Sequence, residues 1–250
     1  MKTKNILHIF LGINIASASN IFTMEKPVTS QRVCLSELTI PVTQAMFSSG
    51  LPLELRLQIV EIMQREFNRN NASLLNAIRS SVKDVNENEI QELLNQCYIN
   101  VNIKDHSGNT PLTLAIKNNN PKIVKMLLDA HANPDIQDSL DETPLILAVK
   151  KNDLEIVQML LYANVELNMR DSTSRSTALI WAVTKNNPEI VRILLNAGAD
   201  RTFKNSYGKT ALDIAQHRIF NIYGNKAALD RQENNRQEII RLLKHKPYNF

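Results

Sequence analysis

Five histidines, two cysteines and six glycines are the residues of this 250-residue chain from which metal binding, nucleophilic catalysis or phosphate binding could be built. The histidines stand at 8, 106, 131, 217 and 245. No two share the H-E-x-x-H spacing that puts both imidazoles on one helical face. Cys34 and Cys97 are too few for a four-thiolate zinc site or a disulfide-rich scaffold. The glycines, at 12, 50, 108, 198, 208 and 224, are too far apart for two to share a phosphate-cradling loop. The dinucleotide fingerprint and the P-loop both need closely spaced glycines, so neither is present. No nucleophile stands beside a base in any recognisable pattern. The expectation is a non-enzyme with no catalytic residue, no cofactor and no metal.

The elements that carry these residues come next. Residues 201–250 hold 10 basic and 4 acidic residues, whereas residues 1–200 hold 19 and 21, so the formal charge of +4 belongs to the C-terminal fifth. There the cations alternate with Asp230, Glu233 and Glu238. That pattern reads as a solvated helix face, not as a nucleic-acid groove. The N-terminus has Lys2 and Lys4, a mostly apolar run Ile6–Ile15, and Ala16-Ser17-Ala18. This is the order of an export signal, with cleavage expected after Ala18. Ten residues span only about 15 Å as a helix, half of a bilayer core, so no membrane insertion is expected once the signal is removed. The alternative is a cytoplasmic protein with a short N-terminal helix.

The remainder repeats. Asp105 through Thr110-Pro111-Leu112 recurs at a period of 33 as Asp138 through Thr143-Pro144-Leu145. It returns as Asp171 through Thr177-Ala178-Leu179, with one residue more, and as Asn205 through Thr210-Ala211-Leu212. Ala115, Ala148, Ala182 and Ala215 follow at constant offset. A second pattern, Ile123-Val124-x-x-Leu127-Leu128, recurs at Ile156 and Ile190. A period of 20–50 residues is the signature of a solenoid. Each Thr can cap a helix with Pro or Ala at its first position. Asn119, Asn152 and Asn186 stand where the first helix must end, and His131, Asn164 and Gly198 where the second must end. These types accept the left-handed backbone conformation more readily than most.

With turn, T-P-L-x-x-A helix and V-x-x-L-L helix in place over residues 105–204, the chain resembles the ankyrin repeat family. The resemblance implies an all-α ankyrin-repeat solenoid of helix-turn-helix units with short β-turn fingers, plus an N-terminal lead helix. The motif histidine of the family is replaced by Thr113, Ile146, Ile180 and Asp213. The expected organisation is a signal peptide at 1–18, a linker at 19–49, a lead helix at 50–69 and a degenerate N-capping repeat at 70–104. Repeats follow at 105–137, 138–170 and 171–204, then a C-capping repeat at 205–250. About 16 residues inserted within that last unit, around Phe220 to Asn235, read as a long loop or lid. Cys97 aligns with Ala130, Ala163 and Ala197 and reads as a small core residue; Cys34 lies in the linker, and the two could pair in an exported protein. Trp181 aligns with Leu114, Leu147 and Ile214 and likewise reads as core.

The lead segment Leu51-Pro-Leu-Glu-Leu55 through Ile59 is amphipathic, with apolar residues at 55, 59, 62 and 63. It also resembles the opening helix of F-box motifs, which dock ubiquitin-ligase adaptors. The simpler reading is a helix that covers the end of the first repeat. In the repeat family the finger tips and first helices face partners, so the resemblance implies a protein-binding module, monomeric, with a protein and not nucleic acid as partner. The expected contact residues are His106, Ser107, Asn109, Thr113, Leu140, Asp141, Glu142, Ile146, Thr173, Arg175, Tyr207 and Lys209, with Ile180 and Thr184 on the same first-helix face. Asp141 and Glu142 with Lys117 and Lys150 would form a mixed-charge patch.

Overall fold

Threonine caps, prolines at helix starts and left-handed asparagines punctuate the chain into short helices, and the structure places nearly every one where the residues require it. The computed structural model describes residues 53–80, 87–96, 99–217 and 226–244. The expected leader and linker, with Cys34, and Cys97 fall outside the described residues. The helices run α1 (Leu53–Ser80), α2 (Glu87–Leu94), α3 (Pro111–Lys117), α4 (Pro121–Asp129), α5 (Pro144–Lys151) and α6 (Leu154–Tyr162). They continue as α7 (Ala178–Lys185), α8 (Pro188–Asn196), α9 (Ala211–His217) and α10 (Lys226–Lys244). No strand occurs among the described residues.

The caps are local chemistry. Thr110, Thr143 and Thr177 each accept a hydrogen bond on the side-chain oxygen from the amide three residues on, at 3.2, 3.2 and 3.4 Å. Asn120, Asp153 and Asn187 do the same for α4, α6 and α8. Each cap satisfies an amide that would otherwise lack a partner at the helix start. Between the paired helices the chain reverses at Asn119, Asn152 and Asn186, with φ of 56°, 61° and 59°. After the second helices it reverses again at His131, Asn164 and Gly198, with φ of 61°, 55° and 95°. These are the six positions expected from residue type alone. Asn164 is exposed and tests the point: Asn164→Gly should change stability by less than about 0.5 kcal/mol, whereas Asn164→Ala should cost about 1 kcal/mol in urea denaturation. Equal effects of the two substitutions would show that backbone conformation does not select this residue.

Packing then forms two layers. α1, α3, α5, α7 and α9 line up as neighbours in one, and α2, α4, α6, α8 and α10 in the other. The core runs between them as one continuous cluster, from Leu74 and Ile78 through Ile123, Leu127, Ile156 and Leu160 to Val191, Leu194 and Ile239. Ala115, Ala148, Ala182 and Ala215 are buried where helices approach closely. Each fully buried Leu or Ile contributes about 2 kcal/mol against chain entropy. Because a unit buries its apolar faces only against the next, stability belongs to the stack.

Both ends differ from a plain repeat. α1 is unbroken from Leu53 to Ser80, so the expected lead helix and the first helix of the N-terminal unit are one 28-residue helix. Its C-terminal part, with Leu74 and Ile78, packs into the core, while Leu57 and Val60 near its start are exposed. At the other end, Lys226 to Asn235 is helical and continuous with the Ile239-Ile240 motif, so that part of the expected loop is the first half of α10. Polar residues fasten it to the stack. Arg236 donates to the carbonyls of Ala215 and Gln216, both at 2.7 Å, and so completes the C-terminus of α9. Asn186 donates to the Gln232 carbonyl at 3.0 Å, and Arg192 pairs with Glu238.

A side-chain ladder joins the turns between successive units. The Asn102 side-chain oxygen accepts from the Asn133 amide, that of Asp135 from Glu166 and that of Asn168 from Asp200, at 2.8 to 3.0 Å, while within the first unit Asn71 of α1 accepts on its side-chain oxygen from the Asn100 amide. One short polar side chain per repeat therefore does the work of a missing strand ladder.

Candidate functional site

Each finger begins at an acidic or amide side chain that folds the turn around itself. Asp105 Oδ1 accepts from the amides of Ser107 and Asn109, and Asp138 Oδ1 from those of Leu140 and Glu142. Asp171 Oδ1 accepts from Ser174 and Ser176, and Asn205 Oδ1 from Tyr207 and Lys209. The main chain closes each turn, with the amide of residue 105, 138, 171 or 205 donating back across it. Neighbouring fingers are tied directly: the Ser172 amide donates to the Leu140 carbonyl at 3.0 Å, and the Ser206 amide to the Ser174 carbonyl at 2.8 Å.

The first-helix layer grips these turns through cations. Arg79 pairs with Asp105 at 2.9 Å, and Lys117 pairs with Asp138 at 2.9 Å while also donating to Asn109. Lys150 binds the Glu142 carboxylate of its own finger and lies 3.7 Å from Asp171 of the next. A cation near the end of α1, α3 and α5 thus straps the following finger to its helix. Asp171 is the most enclosed of these carboxylates. It also accepts from the Trp181 indole N–H at 2.6 Å, and the Lys150 ammonium sits 4.1 Å from the centroid of that ring. Trp181 packs against the core as expected, is half-buried, and through its indole N–H also serves as a strut of this network.

Burial alone would raise the carboxyl of Asp171, but hydrogen bonds from Ser174, Trp181 and Ser176 outweigh it and hold it below the usual carboxylate range. Asp138 is likewise pulled down: burial opposes, and hydrogen bonds from Lys117, Leu140 and Glu142 win. Asp105 follows the same balance, with Asn109, Ser107 and Arg79 as donors.

These straps decide which expected contact residues can reach a partner. Asn109, Thr113, Glu142 and Ile146 are buried, and this corrects their assignment to a binding face. Asn109 bonds Asp105 and Lys117; Thr113 donates to the Thr110 carbonyl at 2.9 Å; Glu142 is neutralised by Lys150; Ile146 packs in the core. Ile180 is buried too, and Thr184 is half-buried, donating to the Ile180 carbonyl. The expected mixed-charge patch is thereby reduced to Asp141, because Glu142, Lys117 and Lys150 are engaged internally. His106, Ser107, Leu140, Asp141, Thr173, Arg175, Tyr207 and Lys209 are exposed. Leu140 is 51% exposed and Tyr207 80%, both on fingers. Asp141 and Arg175 hold left-handed backbones, φ 55° and 52°, which is a costly conformation for arginine.

The structure brings the expected residues Thr184 and Lys209 together with three that were not expected, Asp213, Ile214 and His217. At the foot of the fourth finger, Thr184, Lys209, Asp213, Ile214 and His217 line an open groove of about 320 Å³ between α7 and α9. Its cause is readable in the register. Thr184 stands where Lys117 and Lys150 stand, and Asn205 where Asp138 and Asp171 stand, so both halves of the strap change together. Asp213, at the motif-histidine position, instead accepts from the Thr210 amide and hydroxyl at 2.9 and 2.8 Å, and Thr210 returns a cap bond. Those hydrogen bonds lower its carboxyl below the ordinary value.

No group of three or more His, Cys, Asp or Glu side chains able to hold a metal ion occurs among the described residues. None of the described helices is long and apolar enough to cross a membrane. The family described as Ankyrin repeats (3 copies) matches the chain over residues 56–138, 77–171 and 145–249. No curated protein matches it.

Proposed function

This chain belongs to the ankyrin repeat family, and from that premise we propose that it is a non-catalytic module that binds a protein partner through its finger tips. The carrying observation is the division of the fingers into engaged and free side chains. Every finger spends an Asp or Asn on its own turn, and three are strapped to the helices by a cation. The frame is therefore fixed while Leu140, Asp141, Arg175 and Tyr207 remain at the surface. Rigid display of an aromatic, an aliphatic and a charged side chain is what an interface anchor needs, since little conformational entropy is lost on docking. The large exposed Leu140 and Tyr207 have no folding role that their surroundings require.

Affinity capture from the native source should recover a partner that is lost, or weakened about tenfold or more, with Leu140→Ala and Tyr207→Ala. Both residues are exposed, so the variants should fold as the parent does. Undiminished capture by both variants would reject the fingers as the binding surface. Export, with the exported protein acting on its partner outside the producing cell, is part of this proposal and is checked by N-terminal sequencing of the mature protein.

A second reading is an adaptor, in which the start of α1 recruits ubiquitin-ligase machinery and the repeats select the target. Its support is the exposed Leu57 and Val60 on a helix that extends past the packed first unit. Failure of Leu57→Asp with Val60→Asp to reduce binding to a ligase adaptor in a direct assay would remove it.

A further inference from the structure

We infer that α9 and the fourth finger form a separately opening element of the stack, clasped shut by Arg236 of α10. The element parts from α7 while α10 stays docked, and Tyr207 moves with it whatever partner the fingers bind.

The missing strap is the first cause. In three successive units a cation on the first helix reaches the carboxylate that begins the next finger: Arg79 to Asp105, Lys117 to Asp138 and Lys150 to Asp171. At the last junction the same register holds Thr184 and Asn205, both neutral. Thr184 donates back to the Ile180 carbonyl, and the Asn205 side-chain oxygen is spent on the amides of Tyr207 and Lys209. No ion pair among the described residues joins α7 to the fourth finger. The open groove lined by Thr184 and Lys209 lies where the strap would run.

Burial weakens at the same place. The residue before the helix cap is buried in three fingers, as Asn109, Glu142 and Ser176, but Lys209 is exposed. Leu112, Leu145 and Leu179 are each 1% exposed, whereas Leu212 in their register is half-buried. Ile116, Val149 and Val183 are buried; the residue in their place on α9 is Gln216, which is exposed. Only Ala211 and Ala215 of α9 are buried. A helix with so little buried apolar surface opens at a small fraction of the cost of global unfolding. The turn itself keeps its Asn205 bonds, so the finger holds its shape and the junction with α7 is what gives.

The clasp comes from the other side. Arg236 donates to the Ala215 and Gln216 carbonyls, both at 2.7 Å, which closes the last turn of α9. α10 has anchors that bypass α9. Arg192 pairs with Glu238, Asn186 donates to the Gln232 carbonyl, Asn235 donates to the Asn186 carbonyl, and Ile239 and Leu243 are buried in the core. α10 can therefore remain on the stack when α9 leaves. At the tips, the Ser206 amide on the Ser174 carbonyl ties the fourth finger to the third, and Ser206 is exposed to water. In the open state Tyr207 leaves the row of fingers.

Native-state hydrogen exchange on the intact chain tests this by comparing amides in one register. Residues 214–217 of α9 should exchange about a hundredfold faster than residues 147–150 of α5. Residues 239–243 of α10 should exchange at least about tenfold more slowly than α9. Arg236→Ala should speed exchange in α9 about tenfold further and leave α5 unchanged. The decisive variant is Thr184→Lys with Asn205→Asp, which adds no net charge and restores the strap. It should slow exchange in α9 about tenfold without altering α5.

Equal protection of α9 and α5 would overturn the inference. So would α9 and α10 exchanging together, because the last unit would then open as a whole. Unchanged exchange in α9 once the strap is restored would overturn it as well, and that variant decides even if Arg236→Ala loosens the entire stack. Each of these outcomes leaves the binding role of Leu140 and Tyr207 to be judged by capture alone.

Discussion

Asp171→Ala should lower stability by about 3 kcal/mol, the range for removing one partner of a buried charged pair. The carboxylate side chain is fully buried and is shared by two elements beyond its own turn. Its loss strands the Ser174 and Ser176 amides, the Trp181 indole N–H and half of the coordination of Lys150. Each stranded buried donor carries a desolvation penalty of about 1–3 kcal/mol, relieved only where water can enter. Asp171→Asn should cost less, about 1–2 kcal/mol, because Asn205 shows that an amide oxygen folds the same turn. What the asparagine cannot do is balance Lys150.

Trp181 is the chain's only tryptophan, so its fluorescence reports directly on this node in urea titrations. The same node has a pH signature. Asp105, Asp138 and Asp171 are all held below the ordinary carboxylate value in the folded state. A depressed folded value means that the stabilisation is fully present above the unfolded value, about 3.9, and is lost as pH falls through the folded values. Stability should therefore be level from these three groups at neutral pH and decline below about pH 4, with a shallower decline in Asp171→Ala. An acid profile identical in parent and variant would contradict the assignment of Asp171 to this role.

Leu160→Ala is the second large effect, about 3–4 kcal/mol from lost burial and the cavity left behind. Leu160 is fully buried on α6, which packs against α4, α5 and α8. In a linear stack such a cavity weakens the coupling between units as well as the unit itself. The expected observation is a split transition: helix content falls first, and Trp181 fluorescence, reporting on the following unit, changes at higher urea. Coincident curves for both probes, displaced by less than about 1 kcal/mol, would show that the stack still unfolds as one body and that the site collapses around the cavity.

Much of this architecture is legible in the residues because its determinants are local and recur. A threonine followed by Pro or Ala caps a helix whatever lies beyond it, and Thr110, Thr143, Thr177 and Thr210 do so. An asparagine in a helix–helix turn relieves left-handed strain wherever it stands, as Asn119, Asn152 and Asn186 show. The end elements were harder to read for the opposite reason. No residue between 53 and 80 breaks a helix, so α1 passes through the expected boundary at 69/70. Lys226 to Asn235 looks like insert beside the repeat but carries no proline or glycine, and α9 supplies a surface on which it can be helical.

The candidate surface was legible only in part. Residue type identified the fingers, and Leu140 and Tyr207 are exposed upon them. It could not show that Asn109 and Glu142, polar residues on those fingers, are turned inward. The partner of Asn109 is Lys117, eight residues away, and Lys117 also reaches Asp138, 21 residues away in the next unit. Such a bond exists only after two repeats have stacked, because stacking creates the low-dielectric space in which the pairing outweighs hydration. The change from lysine to Thr184 and from aspartate to Asn205 was visible along the chain, yet meaningless until the strap it removes had been seen in the other units. The amino-acid sequence by itself determined the helices, their caps, their reversals and the period of 33, since each follows from backbone preferences within a few residues. Tertiary structure alone decided which side chains of that period are consumed in holding the stack and where, at the fourth finger, the lattice of cations and carboxylates lapses into an open groove.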